Sequence, residues 1–224
     1  MIDISPSFLI SIAKTLASLV QIKHDRHDAG IFMKESTLCI NNGNFDIAVG
    51  YINAAIEKSK SDKEEMSFLY LIKSAALLGW IGESKKDIIL TNLPDASIGT
   101  LPESLEIPTG KISRLGNEAL KSIDASISLN PRNSLAYYYK GFVFFSMSEL
   151  REAISSFDNA LKIGLPKDLQ FNAYNMQGKL CLILNKYDDA LECYENLLQL
   201  NPSDKDALDT CEVIKKGLPV IISF

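Results

Sequence analysis

Few residues in this chain are of types and spacings that suit chemistry. His24 and His27 stand close together in the run His24-Asp25-Arg26-His27-Asp28. Two imidazoles beside carboxylates suit a metal such as zinc when a third protein ligand converges on them. No third ligand is identifiable, and the aspartates serve equally well as charge partners for Lys23 and Arg26, so the run reads as a polar linker. The four cysteines, Cys39, Cys181, Cys193 and Cys211, show no C-x-x-C spacing. Gly110-Lys111-Ile112 is no phosphate loop, since Leu105 stands where the first glycine is needed and Ile112 where Ser or Thr is needed. Asp87, Asp95, Glu103, Glu106 and Lys111 fall in one proline-rich stretch without a histidine, and solvation accounts for them. No catalytic, metal or cofactor-binding residue is assigned, and an enzyme using this stretch is a distant third reading.

Composition narrows the class further. The chain has 224 residues, 46% of them apolar, a net charge of −5 and a pI near 5.2. These values fit a folded domain and argue against a nucleic-acid binder, which needs a basic stripe. No secretory signal is expected, because Asp3 replaces a basic cluster and Lys14 interrupts the first apolar run. Met66 to Ile81 is the most apolar segment, but it is short for a membrane span and contains Lys73. It reads as a helix buried on most sides. Cys39 and Cys181 fall where the pattern below wants core residues, which suggests core thiols in a reducing compartment, the cytoplasm.

What must position any site is a repeated helical pattern. Tyr137, Gly141, Phe144, Ala153, Phe157 and Ala160 are followed by Pro166; Tyr174, Gly178, Cys181, Ala190, Tyr194 and Leu197 repeat the spacing and are followed by Pro202. Small residues at Gly141, Ala153 and Ala160 let two helices cross closely, and the aromatics fill the space around the crossing. The second helix of the pair sets Glu149, Arg151, Glu152 and Asp158 against an apolar stripe of Ala153, Ile154, Phe157 and Leu161. Such a pair cannot bury its own apolar face and must stack on neighbours.

Two further units share the spacing. Phe32, Ser36, Cys39, Ala48, Ile52 and Ala55 form one, with Asn41-Asn42-Gly43-Asn44 as its turn. The other is split: Tyr70, Ser74 and Leu77 supply its first helix, while Ala119, Ile123, Ser126 and Pro131 supply its second, after roughly 33 inserted residues. The insertion spans about 82–115. Pro94, Pro102 and Pro108 predict an ordered loop rather than a long helix, with Asp87 to Leu90 and Leu105 to Ile107 as candidates for a short strand pair.

Around these units the chain carries a helix from Ser5-Pro6 to about Lys23, placed either as a cap on the stack or inside its groove. Lys58 to Glu65 reads as a solvated connector. A last helix over about 203–216 has Glu212 in the slot where glycine lies elsewhere. That residue makes the helix a terminal cap, stopped by Gly217 and Pro219. Residues 217–224 form an apolar tail expected to fold back.

This spacing resembles the tetratricopeptide repeat, whose unit is about 34 residues. The resemblance implies an all-α fold. It is an α-solenoid of about four helix-turn-helix units over residues 29–216, with residues 1–28 as an N-terminal helix and linker. It also implies a protein-protein interaction scaffold or adaptor, of the assembly-factor or chaperone-like kind, and not an enzyme. By that resemblance the first helices line a concave groove at Phe68, Leu71, Ala75, Leu78, Tyr138, Phe142 and Phe145, with a polar end at Asn175 and Lys179. Some members hold acidic chaperone tails with Lys, Asn and Arg at such positions. Here those slots carry Met33, Thr37, Ile72, Leu135 and Tyr139, so that mode is not expected. The expected partner is another protein or peptide presenting an apolar helix, with no nucleic acid, membrane span or cofactor. The alternative is an array whose groove is filled by its own N-terminal helix or insertion, acting through its convex face or as a homo-oligomer.

Overall fold

The computed structural model describes residues 6–20, 28–59, 62–91 and 109–217, with side chains over 6–14, 31–59, 62–85 and 110–217. Ten α-helices and no strand occur among the described residues: α1 Pro6–Val20, α2 Asp28–Asn41, α3 Phe45–Lys58, α4 Lys63–Thr91, α5 Thr109–Leu129, α6 Ser134–Ser146, α7 Leu150–Ile163, α8 Lys167–Ile183, α9 Tyr187–Leu200 and α10 Lys205–Lys215. The chain divides into two compact units, one reaching to Pro131 with residues 146–148, the other made of residues 132–145 and 149–224.

The helix boundaries follow local chemistry. After α2, α6 and α8 the chain turns through a left-handed residue, Gly43, Ser148 or Asn185. The next amide then donates back to a carbonyl five residues earlier: Asn44 to Cys39, Glu149 to Phe144 and Lys186 to Cys181, at 2.8–2.9 Å. This is the glycine-type helix stop, which satisfies carbonyls the helix leaves open. Asp204 caps α10 by accepting from the Ala207 amide at 2.9 Å, and Gly217 ends it at φ +64°. Asp62 accepts from the amides of Glu64 and Glu65 at 2.9 and 3.1 Å. The expected solvated connector over 58–65 is therefore shorter: Lys63 to Glu65 form the first turn of α4, and Glu65 is buried.

In the first unit, α2 packs on α3, α3 on α4, α4 on α5, and α1 along α4. The split pair closes as its register predicts. Ser67 and Ser126 exchange hydrogen bonds, each hydroxyl donating to the other's carbonyl at 2.9 and 2.7 Å. Lys73 bridges Glu118 at 3.1 Å and the Lys111 amine lies 5.5 Å from the Trp80 ring centre. That order of partners makes α4 and α5 antiparallel. Where serine replaces glycine in the small slot, its hydroxyl bonds its own helix: Ser36 to the Met33 carbonyl and Ser74 to that of Leu71. A buried hydroxyl is thus satisfied without needing room across the crossing.

The inserted stretch differs from the expected loop at both ends. α4 runs on through Asp87 to Leu90, so that segment is helix rather than strand, and α5 begins at Thr109. No proline falls within 82–91 or within α5, so neither helix meets the break that an internal proline would cause. Residues 92–108, including Leu105 to Ile107, lie outside the described residues.

In the second unit, α7 packs on α8, α8 on α9 and α9 on α10. α6 joins α7 through aromatic contacts: Phe157 meets Phe142 and Tyr138 edge-on at 5.0 and 5.8 Å. The two glycine crossings are equivalent. A Cβ on Gly141 would lie 2.7 Å from the Phe157 ring, and one on Gly178 would lie 2.8 Å from the Tyr194 ring. Glycine is required at both positions because an aromatic ring occupies the space.

Candidate functional site

The groove positions inferred from the repeat fall into two sets, one in each unit. On α4, Leu71, Ala75 and Leu78 recur at helical spacing along one stripe, and Gly82 continues it. A Cβ on Gly82 would meet the Pro6 carbonyl oxygen at 2.7 Å and Leu9 Cβ and Ile10 Cγ1 at 3.1 Å. α1 therefore crosses α4 at the end of this stripe. Phe45 of α3 lies against Gly79 on a neighbouring face, and α5 meets the opposite face at Lys73 and Trp80 and the start of the stripe at Ser67, against Ser126. Three helices thus enclose α4, and Ser74 to Gly79 are buried without interruption. The expectation of a helix buried on most sides holds. Phe68 is half-buried, and the half-exposed Met66, Lys73 and Trp80 lie opposite the α1 stripe.

In the second unit Tyr138, Phe142 and Phe145 are each no more than 4% exposed. Tyr138 and Phe142 are brought together, 4.9 Å apart, with Phe157 between α6 and α7. Burial pushes the Tyr138 hydroxyl well above its usual range, and a hydrogen bond from Asn172 opposes that shift. Tyr139 is also raised by burial, and its hydroxyl has no hydrogen-bond partner among the described residues. The polar end is more accessible: Asn172 is exposed, and Asn175 and Lys179 are half-buried on α8. Burial lowers the Lys179 amine, and the Asp206 carboxylate of α10 partly restores it. A polar contact at this end can therefore be reached from solvent, whereas the aromatic contacts cannot.

The thiols separate. Cys181 is buried as expected, whereas Cys39 is only half-buried. Cys39 lies near the end of α2, beside the turn to α3. Cys193 hydrogen-bonds Cys181; this draws the Cys181 thiol down and, with burial, pushes that of Cys193 up. Among the described residues no cluster of three or more His, Cys, Asp or Glu is arranged to hold a metal. His24 and His27 lie outside them.

Sequence reasoning leaves Gly82 out of the stripe of Leu71, Ala75 and Leu78. From sequence, Gly82 reads as the edge of the insertion. Its spacing from Leu71, Ala75 and Leu78, with a second small residue at Ala75, is the available signal for a helix crossing.

Antiparallel helix pairs joined by short turns, with small residues beneath large ones at each crossing, define a helix-turn-helix repeat protein. The family model described as tetratricopeptide repeat matches residues 171–204. The matched span, the unit with Gly178 beneath Tyr194, is a tetratricopeptide repeat. It is 28% identical over 90 residues to the DnaJ homolog subfamily C member 3 of Homo sapiens, covering 40% of this chain and 17% of that protein. It is 30% identical over 108 residues to a TPR repeat-containing protein of Methanocaldococcus jannaschii, covering 47% of this chain. The chain spans 17% of the length of each of these relatives. Among solved structures, a thermophilic TPR protein of Thermus thermophilus is similar at 18% identity and a TM-score of 0.39, over 84% of this chain and 99% of that one.

Proposed function

We propose that the protein is an interaction scaffold or adaptor, of the assembly-factor or chaperone-like kind, that receives an apolar helical segment of another protein on the inward face of its first helices. The observation that carries this reading is the stripe Leu71, Ala75, Leu78 and Gly82, a face already shaped to a helix. Phe68 borders this stripe; in the other unit the accessible positions are the polar Asn175 and Lys179, while Tyr138, Phe142 and Phe145, expected on the same inward face, are buried. No constellation of described side chains calls for catalysis, so a non-enzymatic role is the reading we adopt. The four unbridged cysteines suit the cytoplasm. No described helix is long and apolar enough to cross a membrane.

A second reading is favoured by a specific observation. Leu71, Ala75, Leu78, Tyr138, Phe142 and Phe145 are all buried, whereas Ile31 and Leu38, two turns apart on α2, are 67% and 47% exposed. A self-filled array would use such an outer stripe, for a partner or for a second copy of itself.

Capture experiments separate the two. Phe68→Glu and Lys179→Glu, one in each unit, sit at half-buried groove positions, and each should lower capture while leaving the melting temperature within a few degrees of wild type. Unchanged capture with these variants, together with its loss in Leu38→Glu, would move the function to the outer face. Sedimentation of Leu38→Glu tests self-association.

A further inference from the structure

We propose that α1 stands in for a partner's helix: the α4 stripe of Leu71, Ala75, Leu78 and Gly82 binds a charge-poor amphipathic helix in trans when α1 leaves it. This rests on the scaffold reading and names the chemistry of the ligand.

The repeat pattern supplies two of the three neighbours of α4. α5 is the second helix of its own unit, and α3 is the second helix of the unit before. α1 matches no slot, since the pattern begins at Phe32. It is an additional helix, seated at the Gly82 end of the stripe, whereas α5 meets the stripe at its Ser67 end. The fit is close, because Gly82 lets the Pro6 carbonyl and the Leu9 side chain come within contact where any Cβ would intrude. Ala75 is a second small, buried residue on the same stripe. The Gly82 end of the stripe is therefore a mould for a helix and not a general apolar patch.

α1 also shows what fills the mould. Its fifteen residues, Pro6 to Val20, carry one charge, Lys14, and mix Leu, Ile and Phe with Ser, Thr and Ala. Leu9 and Ala13, one turn apart, are fully buried, whereas Phe8, Ile10 and Ile12 are half-buried. Its contacts go mainly to α4 and few go to α2. Removing it would leave the α2–α3 and α4–α5 pairs with their own contacts. A helix of this length is marginal alone in water, so its order depends on docking. In the intact chain it competes at an effective concentration on the order of millimolar. A partner helix of the same composition must overcome that advantage.

The test uses the full chain and a fluorescent peptide of residues 6–20, read by anisotropy. Leu9→Asp with Ala13→Asp should release α1 and tighten peptide binding at least tenfold over wild type. Adding Gly82→Leu should abolish that gain. A folded double variant with no gain overturns the proposal. If the double variant does not fold, hydrogen exchange of the wild-type chain decides. Amides of α1 exchanging at least tenfold faster than those of α4 support a displaceable helix, and equal rates make α1 part of the core and overturn it. The Lys179→Glu capture result concerns the other unit, so it judges the scaffold reading separately.

Discussion

The pairs α8–α9 and α4–α5 answer one packing problem with different residues. In α8–α9 the crossing is made by absence: Gly178 leaves a space that the Tyr194 ring fills. In α4–α5 the close approach lies at Ser67 and Ser126, whose hydroxyls and carbonyls bond across the gap. The first pair is joined by residues 184–186, whereas α4 and α5 are separated by residues 92–108. The crossing survives the separation because it depends on two small residues, Ser67 and Ser126, meeting across the pair, and closing a longer loop adds cost only slowly. The helices differ as well. α8 and α9 have 17 and 14 residues, whereas α4 has 29 and is enclosed by a third helix. An insertion in a repeat can thus lengthen helices and recruit an outside helix while leaving the repeat contact in place.

The most disruptive way to probe this comparison is Phe142→Glu. In an open groove the new carboxylate would stay wet and the melting temperature would hardly move. Phe142 is instead 1% exposed against the Phe157 ring. We expect a loss of roughly 4 kcal/mol or more in denaturant melts, from lost aromatic packing and a buried charge. A wild-type midpoint would show that α6 turns this face to solvent.

Next in size is Gly141→Leu, which drives a side chain into the Phe157 ring, with the first atom already at 2.7 Å. Overpacking of this kind costs roughly 1–3 kcal/mol. A smaller loss would mean that the ring moves aside and that the glycine crossing is less specific than its recurrence suggests.

Replacing residues 92–108 with an equally long Gly/Ser linker should leave helix content and a single cooperative transition, since the α4–α5 contacts lie outside it. Removing the wider span 83–113 should be worse, because Ser84 and Ile112 are buried. Equal damage from both changes, measured by circular dichroism and melts, would assign the inserted segment itself to the core.

The smallest effect is expected at Glu212→Leu. Glu212 is exposed and paired with Lys216 on α10, at the slot that Gly141 and Gly178 fill elsewhere. The melting midpoint should stay at the wild-type value. The Lys216 ammonium holds the Glu212 carboxyl below its ordinary value. Its small contribution is therefore present at neutral pH and is lost as pH falls through the carboxylate range. A large loss on substitution would mean that something packs over the cap.

Much of this architecture is written in slot residues. Gly141, Gly178, Phe157, Tyr194 and the serines at 36 and 74 announce helix crossings because close packing admits few side-chain sizes there. Ala119 and Ser126 likewise announce the split unit across the insertion. The extent of α4 and α5 is less legible. Prolines mark where a helix must stop, but the run before Pro94 suits either helix or strand until a neighbour is known. Cys39 shows the same limit: it fills the slot that Cys181 fills in its own unit, yet it is only half-buried.

The sequence by itself determined the repeat, its register, the turn at Gly43 and the polar cap at Glu212, because each depends on contacts within one unit or on one residue's backbone. The tertiary structure alone decided that α1 lies on α4, that Gly82 is a crossing, and that Tyr138 and Phe142 belong to the α6–α7 core. An apolar stripe states that it must be covered and does not state by what, since hydrophobic burial is non-directional. Only the assembled helices select among the available covers.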